Sequence, residues 1–232
     1  MRFTSMTDKG GKEINQDSFA SMCRNGIYCF VMADGDGFDG EHASNIVTEA
    51  VIDAFEISPS VTKEGMQKYT TAAWSAIKNA SDSDEIYSEA KASAAILITD
   101  GKTSLTAHIG DTRIYTFTSG MIKTITSDHT NLMEMYVNGK IGFSKIRKFD
   151  AKFTRILPSS PEFEIDESVK LHRGTAFLMC TAGFWKNIDE TNMEQAMKGT
   201  KSSKEWLGNM LRTMEKALMS DCDNITAVAI MM

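Results

Sequence analysis

Near the start of the chain stands Asn15-Gln16-Asp17-Ser18-Phe19-Ala20-Ser21-Met22-Cys23-Arg24-Asn25-Gly26-Ile27-Tyr28-Cys29-Phe30-Val31-Met32-Ala33-Asp34-Gly35-Asp36-Gly37. Residues 18–22 and 27–32 are short apolar runs on either side of Arg24-Asn25-Gly26. Asn-Gly between two such runs predicts a β-hairpin. The second run stops in Asp34-Gly35-Asp36-Gly37, a sharp acidic loop. Ala43, Ile46, Val47, Ala50 and Ala54 then recur at helical spacing and predict a helix over 41–55, broken by Ser58-Pro59-Ser60. A second helix over 62–80 gathers Met66, Tyr69, Ala73 and Ile77 on one face.

A further strand precedes the hairpin, and residues 81–91 read as a polar loop. Runs at 93–99, 103–109, 113–118 and 121–125, separated by Asp100-Gly101, Gly110-Asp111 and Ser119-Gly120, read as an antiparallel meander. Residues 131–138 suit a short helix. The stretch 139–161 has weak periodicity, basic residues and two prolines, and is expected to be an irregular, mobile excursion. Strands follow at 162–166 and 175–180, then a short helix at 193–197. A longer helix at 202–219 carries Leu207, Met210, Leu211, Met214 and Leu218 on its apolar face, and a strand at 225–231 follows. No repeat or linker divides residues 1–232, so one domain is expected. Two sets of antiparallel strands with paired helices predict an α+β architecture: a central antiparallel β-sandwich flanked by helix pairs.

The 232 residues, 42% hydrophobic and 24% charged, are ordinary for a globular domain with a sizeable core. A net charge of −6 argues against nucleic acid as the main partner, though not against phosphorylated substrates, because bound divalent cations invert a local field. No leader or membrane-length apolar run is read, so no membrane partner is expected. Cys23, Cys29, Cys180 and Cys222 lack zinc-finger spacing and read as reduced thiols of a cytoplasmic protein. The sixteen methionines scatter along the chain as core filler.

The chemistry lies in short acidic signatures: Asn15-Gln16-Asp17, Ala33-Asp34-Gly35, Ile109-Gly110-Asp111-Thr112-Arg113 and Asp223-Asn224-Ile225-Thr226. Aspartates far apart in sequence, each beside a strand, can converge on hard cations and hydrolyse a phosphate ester without a protein nucleophile. Singly, each has a plainer reading. Asp34-Gly35-Asp36-Gly37 can be a turn, Asp111 can pair with Arg113, Asp223-Asn224 can be a solvated turn, and Asn15 and Asp17 can cap one. An EF-hand counted from Asp34 fails, with Phe38, Asp39 and Asn45 where an oxygen ligand, Gly and Glu belong. Asp34 as an aspartyl-phosphate nucleophile would want the parallel strand–helix alternation that is missing here. His42 reads as helix surface, His108 as facing out from a strand, and His129 as structural.

Taken together, these blocks, with Ala43-Ser44, Ser127-Asp128-His129-Thr130 and Thr181-Ala182-Gly183-Phe184-Trp185, resemble the metal-dependent Ser/Thr protein phosphatases of type 2C in their compact bacterial form, nearly end to end. The resemblance implies a binuclear Mn²⁺ or Mg²⁺ centre. Asp34 would bridge the ions, the Gly35 carbonyl would ligate one and Asp223 the other, with Asp34 and Asp223 central to catalysis. Asp17 would act mostly through water, and Asp111 would help hold a third, weaker ion. Residues 139–161 would form a flap beside the site that influences substrate choice. Activated water would attack phosphorus in line, so no cysteine is required; Cys-x5-Arg is absent, and Lys186 stands six beyond Cys180. Ser/Thr-phosphorylated proteins, and a cognate protein kinase, are the implied partners.

Two departures stand out. The arginine that grips substrate phosphate is Lys12, which keeps the charge and loses the bidentate fork. The aspartate of Thr-Asp-Gly is Ala182, which offers no oxygen, so one ion position loses a ligand and is expected to be weak. Ala182 can be an introduced change. It can instead mark a non-catalytic pseudophosphatase that binds phosphoproteins or regulates a kinase, or an enzyme that compensates through Asp221 or Asp36.

Overall fold

A computed structural model describes residues 1–37, 39–83, 85–214 and 222–232. Phe38, at the EF-hand position rejected above, lies outside them, as do Leu218 and Asp221. The predicted hairpin is β2 (Asp17–Arg24) and β3 (Ile27–Asp36), paired in register from Asp17↔Asp34 to Arg24↔Ile27. Asn25 and Gly26 both take positive φ, 54° and 76°, as a two-residue hairpin turn with the twist of its strands requires.

Around this hairpin one antiparallel sheet runs β2-β3-β4-β5-β8, with β4 at Lys91–Thr99, β5 at Thr103–Ile109 and the two-residue β8 at Glu164–Ile165; β9 (Val169–Lys170) also pairs with β5. The second sheet runs β1-β11-β10-β6-β7. Its strands are β1 (Arg2–Asp8), β6 (Arg113–Thr118), β7 (Met121–Ile125), β10 (Thr175–Cys180) and β11 (Ile225–Met231).

β3 shows how the layers are dictated by sequence. It is buried on both faces, so it reads as a continuous apolar run rather than an alternation. Cys29, Val31 and Ala33 meet the helices α1 (Gly40–Ile57) and α2 (Lys63–Ser83). Phe30 and Met32 meet Phe177, Met179, Val228 and Ile230 of the other sheet. Beyond that sheet, Leu178, Ala227 and Ala229 pack on α6 (Glu190–Met197) and α7 (Ser203–Thr213) through Met193, Trp206 and Met210. The α+β sandwich between helix pairs is therefore the observed architecture.

The structure differs from the sequence reading at several points. The strands at 93–125 are not one meander: β4-β5 belong to the first sheet and β6-β7 to the second, and the chain changes sheets at residues 110–112. Residues 81–83 continue α2, and a 3₁₀ turn follows at Glu85–Tyr87. On α1, Val51 and Phe55 join Ala43 and Val47 on the buried face, which is rotated from the small residues that marked it in sequence. The stretch 139–161 contains α4 (Ser144–Lys148), after α3 (Asn131–Val137), and is tied to the body by bridges at Thr130↔Phe153 and Ala92↔Leu157. The short helix α5 (Ala182–Trp185) has no signature of its own. Among the described residues no helix is long and apolar enough to cross a membrane.

Candidate active site

The change of sheet at residues 110–112, and the strand ends that carry the acidic signatures, fall at one end of the sandwich. β2 begins there with Asp17, β3 ends there just beyond Asp34, and the crossover holds Asp111. Ala182 opens the helix after β10, and Asp223 precedes β11. The segments meet by backbone contact at two glycines. A Cβ on Gly35 would stand 1.9 Å from the Gly40 carbonyl oxygen, and one on Gly183 would stand 2.0 Å from that of Asn224. No side chain fits either place.

Asn224, 5% exposed, fastens the loop that carries Lys12. Its Oδ1 accepts from the Gln16 amide at 2.9 Å, and its Nδ2 donates to the carbonyls of Lys9 and Ile14 at 2.9 and 3.0 Å. The Asn of Asp223-Asn224 is thus a strut, and only the Asp faces the site. Arg113 is the other strut. It is fully buried, donates two 2.7 Å hydrogen bonds to Asp128, and lies 3.5 Å over the Trp185 ring. The turn contact between Asp111 and Arg113 that sequence left open is replaced by this pair. Trp185 in turn donates from Nε1 to the Asp111 carbonyl at 2.9 Å, which ties α5 to the crossover.

These restraints frame a cavity of about 220 Å³. Lys12, Asp34, Gly35, Asp111, Ala182 and Asp223 all line it, six of the seven positions expected from sequence. Asp17, the seventh, lies across the hairpin from Asp34 and receives a 2.9 Å hydrogen bond from Thr181 Oγ1. Of the two residues suggested above as compensating, Asp36 lines the same cavity and Asp221 is outside the described residues. Sequence reading missed five contributors: Gln16, Lys186, and Asp150, Ala151 and Phe153 from the stretch 139–161. Lys186 had no signal beyond its position one turn after Ala182.

Opposed like charges destabilise a strand pair unless a cation intervenes. Burial raises the Asp34 carboxyl well above the ordinary range, and the charges of Asp17, Asp111 and Asp223 push it further. Among the described residues its one hydrogen bond is long, 3.4 Å from the Ala182 amide. Burial pushes Asp17 up to about 6, against hydrogen bonds from Thr226 and Thr181. Asp111 is pushed up to about 6 by burial and by Asp128, against the charges of Lys186 and Arg113. Asp17 Oδ1 is buried and has no partner among the described residues.

An orphaned carboxylate oxygen, crowded anions and an all-oxygen donor set fit hard divalent cations such as Mg²⁺ or Mn²⁺. Among the described residues no three of these carboxylates bring oxygens within 4.8 Å of one another, a spread wider than one ion's shell. A pH dependence follows. Asp17 and Asp111, with pKa values raised to about 6, bind more protons folded than unfolded between about pH 4 and 6. Without cations, these groups lower stability as pH rises through that window. Cations compete with those protons, so the Mn²⁺-induced rise in melting temperature should be small at about pH 5 and large at about pH 7. Calorimetry at both pH values checks this; a pH-independent shift would contradict it.

A second cluster needs separate treatment. His108, His129 and Glu164 bring ligand atoms within 4.8 Å of one another. His108 is 1% exposed, not outward-facing as expected, because its face of β5 looks toward the other sheet rather than solvent. Its ring stacks on His129 at 4.7 Å, and its Nε2 donates to the Ser127 carbonyl at 2.9 Å. His129 Nδ1 accepts from the Gly110 amide at 3.2 Å, so Nε2 carries the proton and donates to Glu164 at 3.1 Å. Burial holds His129 neutral by lowering it to about 4. With its proton committed to Glu164 and its lone pair to Gly110, His129 has none left for a metal. The cluster reads as a strut behind Asp111. His42 sits on the surface beside Asp39, as expected.

The cysteines are all free, and Cys29, Cys180 and Cys222 are buried. Burial raises the Cys180 thiol far above its ordinary value, which disqualifies it as a nucleophile.

A layered sandwich with an acidic cavity at the strand ends defines a class, the fold of the metal-dependent Ser/Thr protein phosphatases. Comparison with solved structures places the chain in that fold. Staphylococcus aureus serine/threonine phosphatase Stp1 superposes with a TM-score of 0.87 at 18% identity, covering 99% of this chain and 94% of that one. The Mycobacterium tuberculosis phosphatase PstP/Ppp gives 0.83 at 20% identity, with 99% and 98% covered. A PstP catalytic domain in complex with two manganese ions gives 0.82 at 20% identity, with 98% and 96% covered. No curated protein matches in direct sequence comparison. The family profile of protein phosphatase 2C matches residues 9–221, and the chain belongs to that family.

Proposed function

We propose that this chain is a metal-dependent phosphoprotein phosphatase, acting on phosphoserine or phosphothreonine, with one ion position weakened at Ala182. One observation carries the reading: the charges of Asp17, across the hairpin, and of Asp111 and Asp223, in the same small cavity, all bear on Asp34. Asp34 would bridge two Mn²⁺ or Mg²⁺ ions, with the Gly35 carbonyl on one, Asp223 on the other and Asp17 acting through water. The PstP domain with two manganese ions supports this by analogy. When bound, such ions lower the pKa of coordinated water and neutralise phosphate oxygens.

The chain's own residues do the rest. Lys12 stands at the mouth with Nζ 3.6 Å from Asp223, both side chains more than half exposed. Such a pair is worth little, so the ammonium is available to hold a phosphate as a point charge. Lys186 puts a second ammonium in the cavity and offsets Asp111, which works against a third ion there. Asp36 is the candidate replacement for the oxygen missing at Ala182. The exposed free thiol of Cys23 suits a reducing compartment, the cytoplasm. Phosphorylated proteins are the partners, and a cognate kinase is the natural source of the phosphate.

The absent oxygen at 182 also favours a second reading, a pseudophosphatase that binds phosphoproteins without turnover. Hydrolysis of a phosphothreonine peptide with Mn²⁺ separates the two. The enzyme gives slow turnover that chelation with EDTA abolishes and iodoacetamide does not touch. Zero turnover with retained peptide binding would support the second reading.

A further inference from the structure

The whole chain carries −6, yet residues 139–161 hold six cations, Lys140, Lys145, Arg147, Lys148, Lys152 and Arg155, against Asp150 alone. Two of the six are consumed internally. Arg147 donates to the carbonyls of Trp185 and Ile188 and to Glu190, and Arg155 reaches Glu164. The four lysines are exposed, and none takes part in an ion pair among the described residues.

Their placement is fixed. Ile146 is buried and Arg147 is anchored to the segment that follows α5, so α4 is pinned by that side. Lys145, Lys148 and Phe149 are left on the outside. Lys145 Nζ lies 5.0 Å from the centre of the Phe149 ring, which is 51% exposed, and Val137 nearby in sequence is 71% exposed. The same stretch then becomes the wall of the active site: Asp150, Ala151 and Phe153 line the cavity, with Lys152 between them turned to solvent. A basic, partly apolar surface thus runs up to the rim of an acidic hollow.

The geometry points to the outer face of residues 140–152 as a docking surface for an acidic stretch of the protein substrate, flanking the residue whose phosphate enters the cavity. The inference rests on the proposed phosphatase reading only for that phosphate. The cavity is rich in carboxylates, so it gives acidic flanks no attraction of its own; the lysines supply it. Exposed pairs are individually weak, and three or four together give roughly tenfold in affinity, eroded by salt. An anionic membrane would meet the same charges. α4 is a single five-residue turn, too short to lie in an interface as amphipathic anchors do, and the surface is continuous with the cavity wall.

The test uses the full chain and fluorescent phosphothreonine peptides with Asp/Glu, neutral or Lys flanks, read by anisotropy. The acidic-flanked peptide should bind about tenfold tighter than the neutral one, with the difference shrinking from about 50 to about 300 mM salt. The triple variant K145E/K148E/K152E should lose that preference and keep its melting temperature and its hydrolysis of p-nitrophenyl phosphate. Equal affinity for the three peptides, or a preference that survives charge reversal, overturns the inference. Capture by phosphatidylserine vesicles without peptide preference would overturn it in favour of a membrane. If the preference holds and no peptide is hydrolysed with Mn²⁺, the docking surface stands and the enzyme reading falls.

Discussion

Ala182→Asp is expected to raise Mn²⁺-dependent hydrolysis of p-nitrophenyl phosphate by about 30- to 100-fold. The argument starts from position. Ala182 is 6% exposed, lines the cavity, and its amide points at Asp34 Oδ2. A carboxylate there adds an oxygen and a negative charge to the set shared by Asp34 and Asp223. Tightening one ion by about 2–3 kcal/mol, if realised in the transition state, gives that factor. Mn²⁺ affinity should rise in parallel, measured by calorimetry. The same carboxylate adds to the crowding on Asp34, so the cation-free variant should melt below the parent and the Mn²⁺-loaded variant above it. An unchanged rate with tighter Mn²⁺ binding would mean that the ion at this position is not rate-determining. Unchanged affinity would mean that Ala182 does not face an ion at all.

Asp34→Asn makes the opposite double prediction. Asp34 is the carboxylate on which the other three bear, and the one assigned to bridge. Replacing it by a neutral amide of the same shape should weaken Mn²⁺ binding by at least ~100-fold, since removing even a supporting partner of a metal ligand costs 10- to 100-fold. It also removes a partly buried charge held against its neighbours. The cation-free variant should therefore gain stability, on the order of 1 kcal/mol or a few degrees in melting temperature. A merely structural carboxylate would show the reverse, with lost stability and little change in Mn²⁺ affinity.

Sequence revealed the hairpin because its turn is local chemistry: Asn25 and Gly26 are among the few residues that take positive φ cheaply. It revealed α2 because Met66, Tyr69, Ala73 and Ile77 keep helical spacing to the core. It could not show that the strands on either side of Gly110 belong to different sheets, since a short turn between two apolar runs looks the same whether the runs pair or part. His108 was misread for a related reason. Alternation along β5 was legible, but the face opposite the helices looks toward a second sheet, not water. The acidic cluster was legible only as a set, since each Asp has an ordinary local explanation. Lys186 and Asp150 carry no pattern; they reach the cavity by tertiary packing alone.

The central claim is that divalent cations gather at Asp34. Anomalous diffraction from manganese-soaked crystals tests it without reference to turnover. Manganese peaks are expected beside Asp34, one shared with the Gly35 carbonyl and one with Asp223, the latter partially occupied next to Ala182. An empty acidic cavity at millimolar manganese, or manganese bound instead between His108, His129 and Glu164, would contradict it.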